Sequence, residues 1–502
     1  MQKNEKGGTI SFQYLNNNNS KIALIENNGS YSYLELNNRI NQMATGLLNG
    51  ESDLNEERVA FLMPAELDYV TMLFGVWRAG GIAVPLNVSS AVPELEHALS
   101  CAEVTRVIAN PEYQEKLTEL CERLNIELKS VDEIISDEVK ATPDLSSERR
   151  AMILFTSGTT NKPKGVVSTH KNIRAQITTL IEAWAWQHDD KIPLFLPLHH
   201  IHGIINVLCC GLWSGATISL FPKFDMRALL DLVAKDSYSV FMAVPTIYVK
   251  IIQYLDTLDQ DQQKIITNGF KNMRLNISGS AACPVKVYNQ WLELTSQILL
   301  ERYGMTEIGM AISNPYDGER RAGAVGVPLP GVEVELYDDE DTLIEEENIP
   351  GEIRIKGDNV FLEYWGNPEE TKNSYKNQWF CTGDVAVLEV GYYRIMGRSS
   401  VDIIKSGGYK LSALEIEGTI LNHENIAECA IIGVEDEVWG EAVTAFLVLK
   451  PNKELVYEDL KSWCEDKMST YKVPKKIIIV ETLPRNAMGK VTKPTLKNML
   501  PT

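Results

Sequence analysis

Two stretches of the chain alternate short apolar runs with segments of helical period, and this rhythm restricts the fold more than any other feature. From about Ser30 to Asn110, helical segments over Tyr33 to Leu48 and Glu66 to Ala79 are interleaved with apolar runs at Arg58 to Leu62, Ile82 to Pro85 and Val107 to Ile108. The rhythm returns at Tyr238 to Ala243, Leu275 to Ser278 and Ile298 to Tyr303. Short buried runs separated by helices predict an α/β class with parallel sheets flanked by helices. A chain of 502 residues is longer than one hydrophobic core can serve, so a large multi-subdomain body and at least one smaller unit are expected. Past Ala324, Pro328, Pro330, Gly331 and Gly351 separate short alternating runs, which predicts a β-rich subdomain. The C-terminal stretch predicts a small mobile α+β unit, with helices at Ser412 to Leu421 and Tyr457 to Met468 and strands at Ala427 to Val434 and Ala442 to Leu449. The expected division is therefore a body over 1–397, a hinge over 398–401 and a C-terminal unit over 402–502.

The formal net charge of -20 argues against sequence-independent binding to nucleic acid or anionic lipid, so an anionic ligand must meet a local cationic site. The 8 cysteines show no C-x-x-C spacing and read as reduced, mostly buried thiols of a cytosol-like compartment. Met1 to Gly8 carries Glu5 and no apolar run, so no secretory signal is expected. The expected location is cytoplasmic, with an organellar one open if the N-terminus has been processed. Ile201 to Phe221 is apolar enough to suggest a membrane span, but His202, Asn206, Ser214 and intervening glycines favour a buried helix followed by a strand. Asn16 to Asn19 reads as a loop. Monomer and homodimer both stay open.

Chemistry enters after the apolar run Met152 to Phe155, in Thr156-Ser-Gly-Thr-Thr-Asn-Lys-Pro-Lys-Gly165. Hydroxyls and glycines directly after a buried strand let backbone N–H groups and side chains converge on an anion, and Lys162 and Lys164 add positive charge. The lysines do not stand where the G-x-x-x-x-G-K loop of mononucleotide kinases puts them, which disfavours ordinary kinase or motor chemistry.

Further segments follow in order: Tyr303-Gly-Met-Thr-Glu307, Thr382-Gly-Asp384, Tyr392 with Gly397-Arg398, and Pro484-Arg-Asn-Ala-Met-Gly-Lys490. With the loop, they resemble the adenylate-forming superfamily of acyl-CoA synthetases, adenylation domains and firefly-type luciferases, from about residue 20 to the C-terminus. The resemblance implies an ATP-dependent acid:CoA ligase, with ATP, magnesium and CoA as its small-molecule partners. It assigns Thr156, Ser157, Gly158, Thr159, Thr160 and Lys164 to the β and γ phosphates, Thr306 to the α-phosphate and Glu307 to magnesium. Tyr303, followed by Gly304 and Met305, is expected against adenine beside the backbone of Gly279, Ser280 and Ala281. Asp384 is expected on the ribose, where a carboxylate can accept from both hydroxyls, and Arg398 on the nucleotide. Lys490 is the expected catalytic ammonium between substrate carboxylate and α-phosphate. Rotation about the hinge would then bring Lys405, Gly407 and Gly408 to the site for thioester formation; the register points to Ser400 as pivot, where Asp or Lys is usual in the family.

Pro197-Leu-His-His-Ile-His-Gly203 resembles the acyl-site segment, with His200 near the reacting carboxylate and His199 and His202 in packing or hydrogen bonding. Glu301-Arg302 before Tyr303 is the discriminating feature. Relatives accepting aromatic or long aliphatic acids usually carry glycine in Arg302's place, whereas a guanidinium there shortens the cavity and can grip a second carboxylate in two-pronged fashion. Glu301 to Met310, Asn314 to Glu319 and Val244 to Lys250 resemble malonyl-CoA synthetases. That resemblance implies Arg302, Ser280 and Lys250 as malonate contacts and Met310 as a cap, with Ile201 and Met310 crowding any substituent on C2. The competing reading of Arg302 is an internal ion pair with Glu301 or Glu307. At the level of function, the competitors are a short-chain or aryl acid:CoA ligase, an adenylation enzyme that loads a carrier protein, and a nucleotide-binding regulator without catalysis.

Overall fold

The computed structural model describes residues 12–16, 19–156, 163–407, 409–485 and 491–500. Its central layer is a sheet of 7 strands in which Ile82–Pro85, Arg58–Leu62, Arg106–Ala109 and Glu127–Lys129 run parallel, each next to a helix in sequence. The helix Tyr33–Leu48 shows why these segments form. Ser32 caps it, with Oγ accepting the Glu35 N–H at 3.2 Å while the Glu35 carboxylate accepts the Ser32 N–H at 2.8 Å. Leu36, Ile40, Met43 and Leu47, spaced at helical period, then face the main core.

A second sheet sets Val240–Ala243, Leu275–Ser278 and Leu300–Met305 parallel. The parallel pairing is as expected, but each of these two sheets also carries an antiparallel return, for one reason in both layers. Arg150–Thr156 returns antiparallel as Lys164–Thr169, and Leu300–Met305 returns antiparallel as Gly309–Ser313. A parallel return needs a crossover of a dozen or so residues, whereas an antiparallel one needs only a short turn. Both returns are short in sequence, from Thr156 to Lys164 and from Met305 to Gly309, the second carrying the Thr306-Glu307 pair. The hairpins thus put the chemistry-bearing segments at strand ends.

The β-rich region is an antiparallel sheet built on Glu333–Tyr337, Gly351–Lys356, Trp379–Glu389 and Tyr392–Arg398. The C-terminal stretch forms its own sheet, from Ile403–Ser406, Tyr409–Ser412, Ile426–Asp436, Gly440–Leu449 and Lys476–Ile479, with its own apolar clusters. The contacts that join it to the body include the apolar cluster of Val385, Val387, Met396 and Ile403, the Ser412 hydroxyl on the Met396 carbonyl, and Asp339, which accepts from Lys410 at 2.9 Å and Lys405 at 3.3 Å. Contacts of this kind are the ones domains break when they move.

Other expectations shift by a few residues. The strand at Ile298 begins at Leu300, with Ile298 exposed, and the helix from Tyr457 ends at Glu465. Asn16 closes a short helix, Gln13–Asn16, while Asn17 and Asn18 lie outside the described residues. The apolar stretch from Ile201 is buried, as expected, but its first part, His202–Cys209, is a π-helix, followed by Cys210–Ser214 and the strand Thr217–Leu220. Among the described residues no helix is long and apolar enough to cross a membrane.

One turn departs from local preference. Val390 and Gly391, which join the last two strands of the β-rich sheet, have φ of 49° and 76°, the geometry of a tight hairpin turn that favours Asn-Gly. A β-branched residue is strained there, and the Val390 side chain is exposed, so its apolar surface gains nothing in return. Val390→Asn is expected to stabilise the protein by about 1 kcal/mol, read as a higher melting temperature; an unchanged or lower one would refute the strain.

Candidate active site

Strand alternation decides which way the side chains of Leu300–Met305 point. Leu300 points to the main core with Ile277 of the neighbouring strand, and Arg302, two residues on, shares that face. Glu301 points the other way, where its carboxylate accepts the Gly323 N–H at 2.9 Å. Burial raises Glu301 to about 7. Arg302 is only 4% exposed. Its Nη2 donates to Ser280 Oγ at 3.3 Å, and its Nε has no partner among the described residues. Burial draws the guanidinium down to about 10, which leaves it charged at neutral pH. The ion-pair alternative fails: Glu301 faces away, and the Glu307 carboxylate accepts from the Tyr364 hydroxyl at 3.0 Å. A Cβ at Gly279 would lie 2.4 Å from Arg302 Cζ, so any side chain there would displace the guanidinium.

Ser280 links the guanidinium to a histidine. Its Oγ lies 3.1 Å from His202 Nδ1. A hydroxyl that receives from Arg302 has its own proton to give, so Nδ1 accepts it and Nε2 carries the ring proton. Burial and the Arg302 charge hold His202 well below its usual range, hence neutral. Nε2 is buried and without a partner among the described residues. So is Asn206 Nδ2, one turn further along the π-helix. Both are donors on one helix face. Neither His202 as a donor nor Asn206 at all was expected from sequence, although Asn206 signalled itself by interrupting an apolar run.

His199 and His200 lie tilted against each other with 4.1 Å between ring centres, and burial, with His200 beside it, lowers His199 to about 3. Ile201 and Met310 are buried in the main core. Lys250 behaves differently from expectation: it stands on the exposed face of Pro245–Leu255 and has no ion-pair partner among the described residues. Lys250 stands two residues beyond Tyr248, roughly half a turn around the helix, while positions 248, 251, 252 and 255 take the core.

A second cluster forms around the hairpin turns. The Tyr303 hydroxyl donates to Asp384 Oδ2 at 2.6 Å, and Arg398 Nη1 donates to Asp384 Oδ1 at 3.3 Å. Burial raises Asp384 and Arg398 partly offsets it. Tyr364 joins Glu307 to the strand that opens at Lys164, because its hydroxyl bonds Glu307 while Lys164 Nζ stands 5.0 Å over its ring and pairs with Glu370. Burial raises Glu307 as well. Thr306, Gly304 and Met305 are partly exposed beside it, and Thr156 closes the strand opposite Lys164. Ala281 and Ser280 are exposed at the end of Leu275–Ser278. Ser157, Gly158, Thr159, Thr160, Gly408 and Lys490 lie outside the described residues. Lys405 and Gly407 belong to the C-terminal unit, with Gly407 at φ of 57° against Trp439.

The family model described as AMP-binding enzyme matches residues 12–365. The chain belongs to the AMP-binding enzyme family. The model of the AMP-binding enzyme C-terminal domain matches residues 415–490 of the same chain. This AMP-binding enzyme is 41% identical to the mitochondrial malonate–CoA ligase ACSF3 of Bos taurus, over 96% of this chain and 88% of that one. It is 37% identical to a malonate–CoA ligase of Arabidopsis thaliana, over 98% and 88% of the two chains. The crystal structure of ATP-bound MatB from Rhodopseudomonas palustris superposes with a TM-score of 0.87 at 32% identity, covering 96% of each chain. The α/β body with its small C-terminal unit is therefore the fold of an AMP-forming acid-activating enzyme.

Proposed function

We propose that this AMP-binding enzyme is a malonate–CoA ligase, which joins malonate and ATP to malonyl-adenylate and pyrophosphate and then transfers the malonyl group to CoA with release of AMP. The observation that carries the reading is Arg302, a buried guanidinium with no carboxylate partner among the described residues. A buried charge left uncompensated is costly, so the cavity favours an acid that brings a second negative group. Malonate has one carboxylate to react and one to pair with Arg302, with Ser280 and the His202 Nε2–H as further polar lining. A monocarboxylate leaves the cation unpaired.

In the first step the malonate carboxylate oxygen attacks the α-phosphorus and pyrophosphate leaves. The work is positioning and charge stabilisation. The loop from Thr156 to Lys164 holds the β and γ phosphates, Thr306 the α-phosphate, Asp384 and Arg398 the ribose side, Tyr303 with Gly279 to Ala281 the adenine, and Lys490 the two reacting anions. Among the described residues no group of three potential ligands could hold a metal by itself, but one buried carboxylate fits magnesium, which takes most of its oxygens from phosphate and water. Glu307 would hold that ion, whose charge neutralises the phosphates. In the second step the CoA thiol attacks the acyl carbon and AMP departs. The C-terminal unit over 402–502 rotates about 398–401 between steps, releasing Lys405 and Lys410 from Asp339 so that Lys405, Gly407 and Gly408 approach the pantetheine. His200 lies on that path.

The free cysteines suit a reducing compartment, cytoplasm and organelle interior alike. Pyrophosphate release measured with malonate, methylmalonate, propionate, acetate and a cinnamate tests the substrate. Malonate is expected to lead propionate by about thirtyfold or more in kcat/KM, with methylmalonate behind malonate because Ile201 and Met310 crowd C2. Equal rates with malonate and propionate would sink the reading. Product analysis with CoA and with a phosphopantetheinylated carrier identifies the acceptor, CoA being expected.

A further inference from the structure

The base of the segment that carries Lys490 is tied to the hinge by a buried ion cluster. Arg485 and Val491 pair across the segment as an antiparallel bridge, and the Thr492 N–H donates to the Pro484 carbonyl at 2.9 Å. Lys493 follows at once, opening the helix Lys493–Lys497. Its side chain is 10% exposed, and its ammonium contacts Asp402 Oδ1 at 2.6 Å and Glu417 Oε1 at 2.8 Å. The two carboxylates look in different directions. Glu417 Oε1 also accepts the Ile431 N–H at 2.8 Å, inside the C-terminal sheet. Asp402 Oδ2 accepts the Arg398 N–H at 3.0 Å, and the Asp402 N–H returns to the Arg398 carbonyl at 2.8 Å, so this residue spans the hinge. Arg398 in turn holds Asp384, which accepts from Tyr303. A polar path thus runs from the nucleotide cluster through the hinge to a residue three positions beyond Lys490.

We propose that Lys493 is a positioning residue for adenylation, which through Asp402 locks the Lys490 segment to the hinge so that Lys490 arrives at the reacting anions in one defined place. The inference rests on Lys490 being the adenylation lysine. A buried ammonium is an effective lock because it is held from two sides and cannot exchange its partners for water without uncovering two buried carboxylates. Thioester formation does not use Lys490, and so does not need the lock.

The full-length protein is assayed for each half-reaction: malonate-dependent exchange of pyrophosphate into ATP, and conversion of supplied malonyl-adenylate and CoA to the thioester. Lys493→Met is expected to lower exchange about a hundredfold, the effect of a misplaced catalytic group, with thioester formation close to wild type; Lys493→Arg restores most of the exchange. If Lys493→Met does not fold, Asp402→Asn and Glu417→Gln carry the test. Each removes one partner of Lys493, but only Asp402 reaches the hinge, so Asp402→Asn is expected to lower exchange well beyond Glu417→Gln. Parallel loss of both half-reactions, or equal effects of the two carboxylate variants, would overturn the proposal. Lys490→Ala in the same assays separates the two levels: selective loss of exchange there without selective loss at Lys493 overturns only the lock, whereas exchange that survives Lys490→Ala overturns the reading beneath it.

Discussion

Arg302→Met is expected to lower kcat/KM for malonate by an amount on the order of 2 to 5 kcal/mol, about thirtyfold to several thousandfold, with the KM for ATP unchanged and the melting temperature held or raised. The two halves of this result have one cause. In the free protein the guanidinium is buried and unpaired by any acid among the described residues, so its desolvation is a standing cost that an apolar side chain of similar length removes. Ser280 loses a donor but keeps His202 Nδ1 as its partner. With malonate present the sign reverses, because the distal carboxylate loses its counter-charge. Added malonate should therefore raise the melting temperature of the wild type and not of the variant. A structural arginine would give the opposite pattern, loss of stability with malonate kinetics intact, and that outcome would remove Arg302 from the acid site. Propionate turnover distinguishes the two further, since a cavity relieved of its charge accepts a monocarboxylate better.

Much of the scaffold was legible because local pattern and tertiary burial agree in it. Tyr33–Leu48 forms as its periodicity indicates, burying the face that its apolar residues mark, and Arg58–Leu62, Ile82–Pro85 and Leu275–Ser278, buried on both faces, form where short apolar-rich runs stand. The edges were less legible. Lys164–Thr169 and Gly309–Ser313 pair antiparallel because of turn length, which periodicity does not encode. The π-helix was invisible for a related reason: in a run that is apolar on every side, helical period leaves no stripe to read. Motif residues such as Glu307, Asp384 and Arg398 could be named from their order in the chain, but their partners could not. Tyr303 reaches Asp384 across 81 positions, and Lys164 reaches Glu370 across 206. Lys250 shows a limit of another kind, since its charge could be read from the chain but not that it stands on the exposed side of its helix. What the sequence could least reveal is that two adjacent ionisable residues, Glu301 and Arg302, leave one strand on opposite faces and never meet.

That separation gives Glu301 a distinct, pH-dependent effect on stability. Its carboxyl is buried among Cys283 and Tyr288, and burial lifts it from the ordinary 4.5 to about 7 even though the Gly323 and Cys283 N–H groups oppose the shift. Between these values the folded protein holds a proton that the unfolded chain has released. The sign follows: stability from this group is fully present below about 4.5 and is lost as the pH rises through about 7. The amount is on the order of 3 kcal/mol. Glu301→Gln removes the titrating group while keeping an oxygen for the Gly323 N–H. The variant's melting temperature relative to wild type is therefore expected to climb by several degrees between pH 4 and pH 8, with the change concentrated between about 4.5 and 7. Because Glu307, Asp384 and Glu417 are also raised by burial, the difference between the two proteins is the quantity to read, not either curve alone. A gap that stays constant across this range would mean that Glu301 is ionised at its ordinary pKa, and a gap that moves towards wild type would mean that a cation reaches it. The second outcome would put a positive group on the wrong face of the strand and bring Arg302 back within reach of its neighbour.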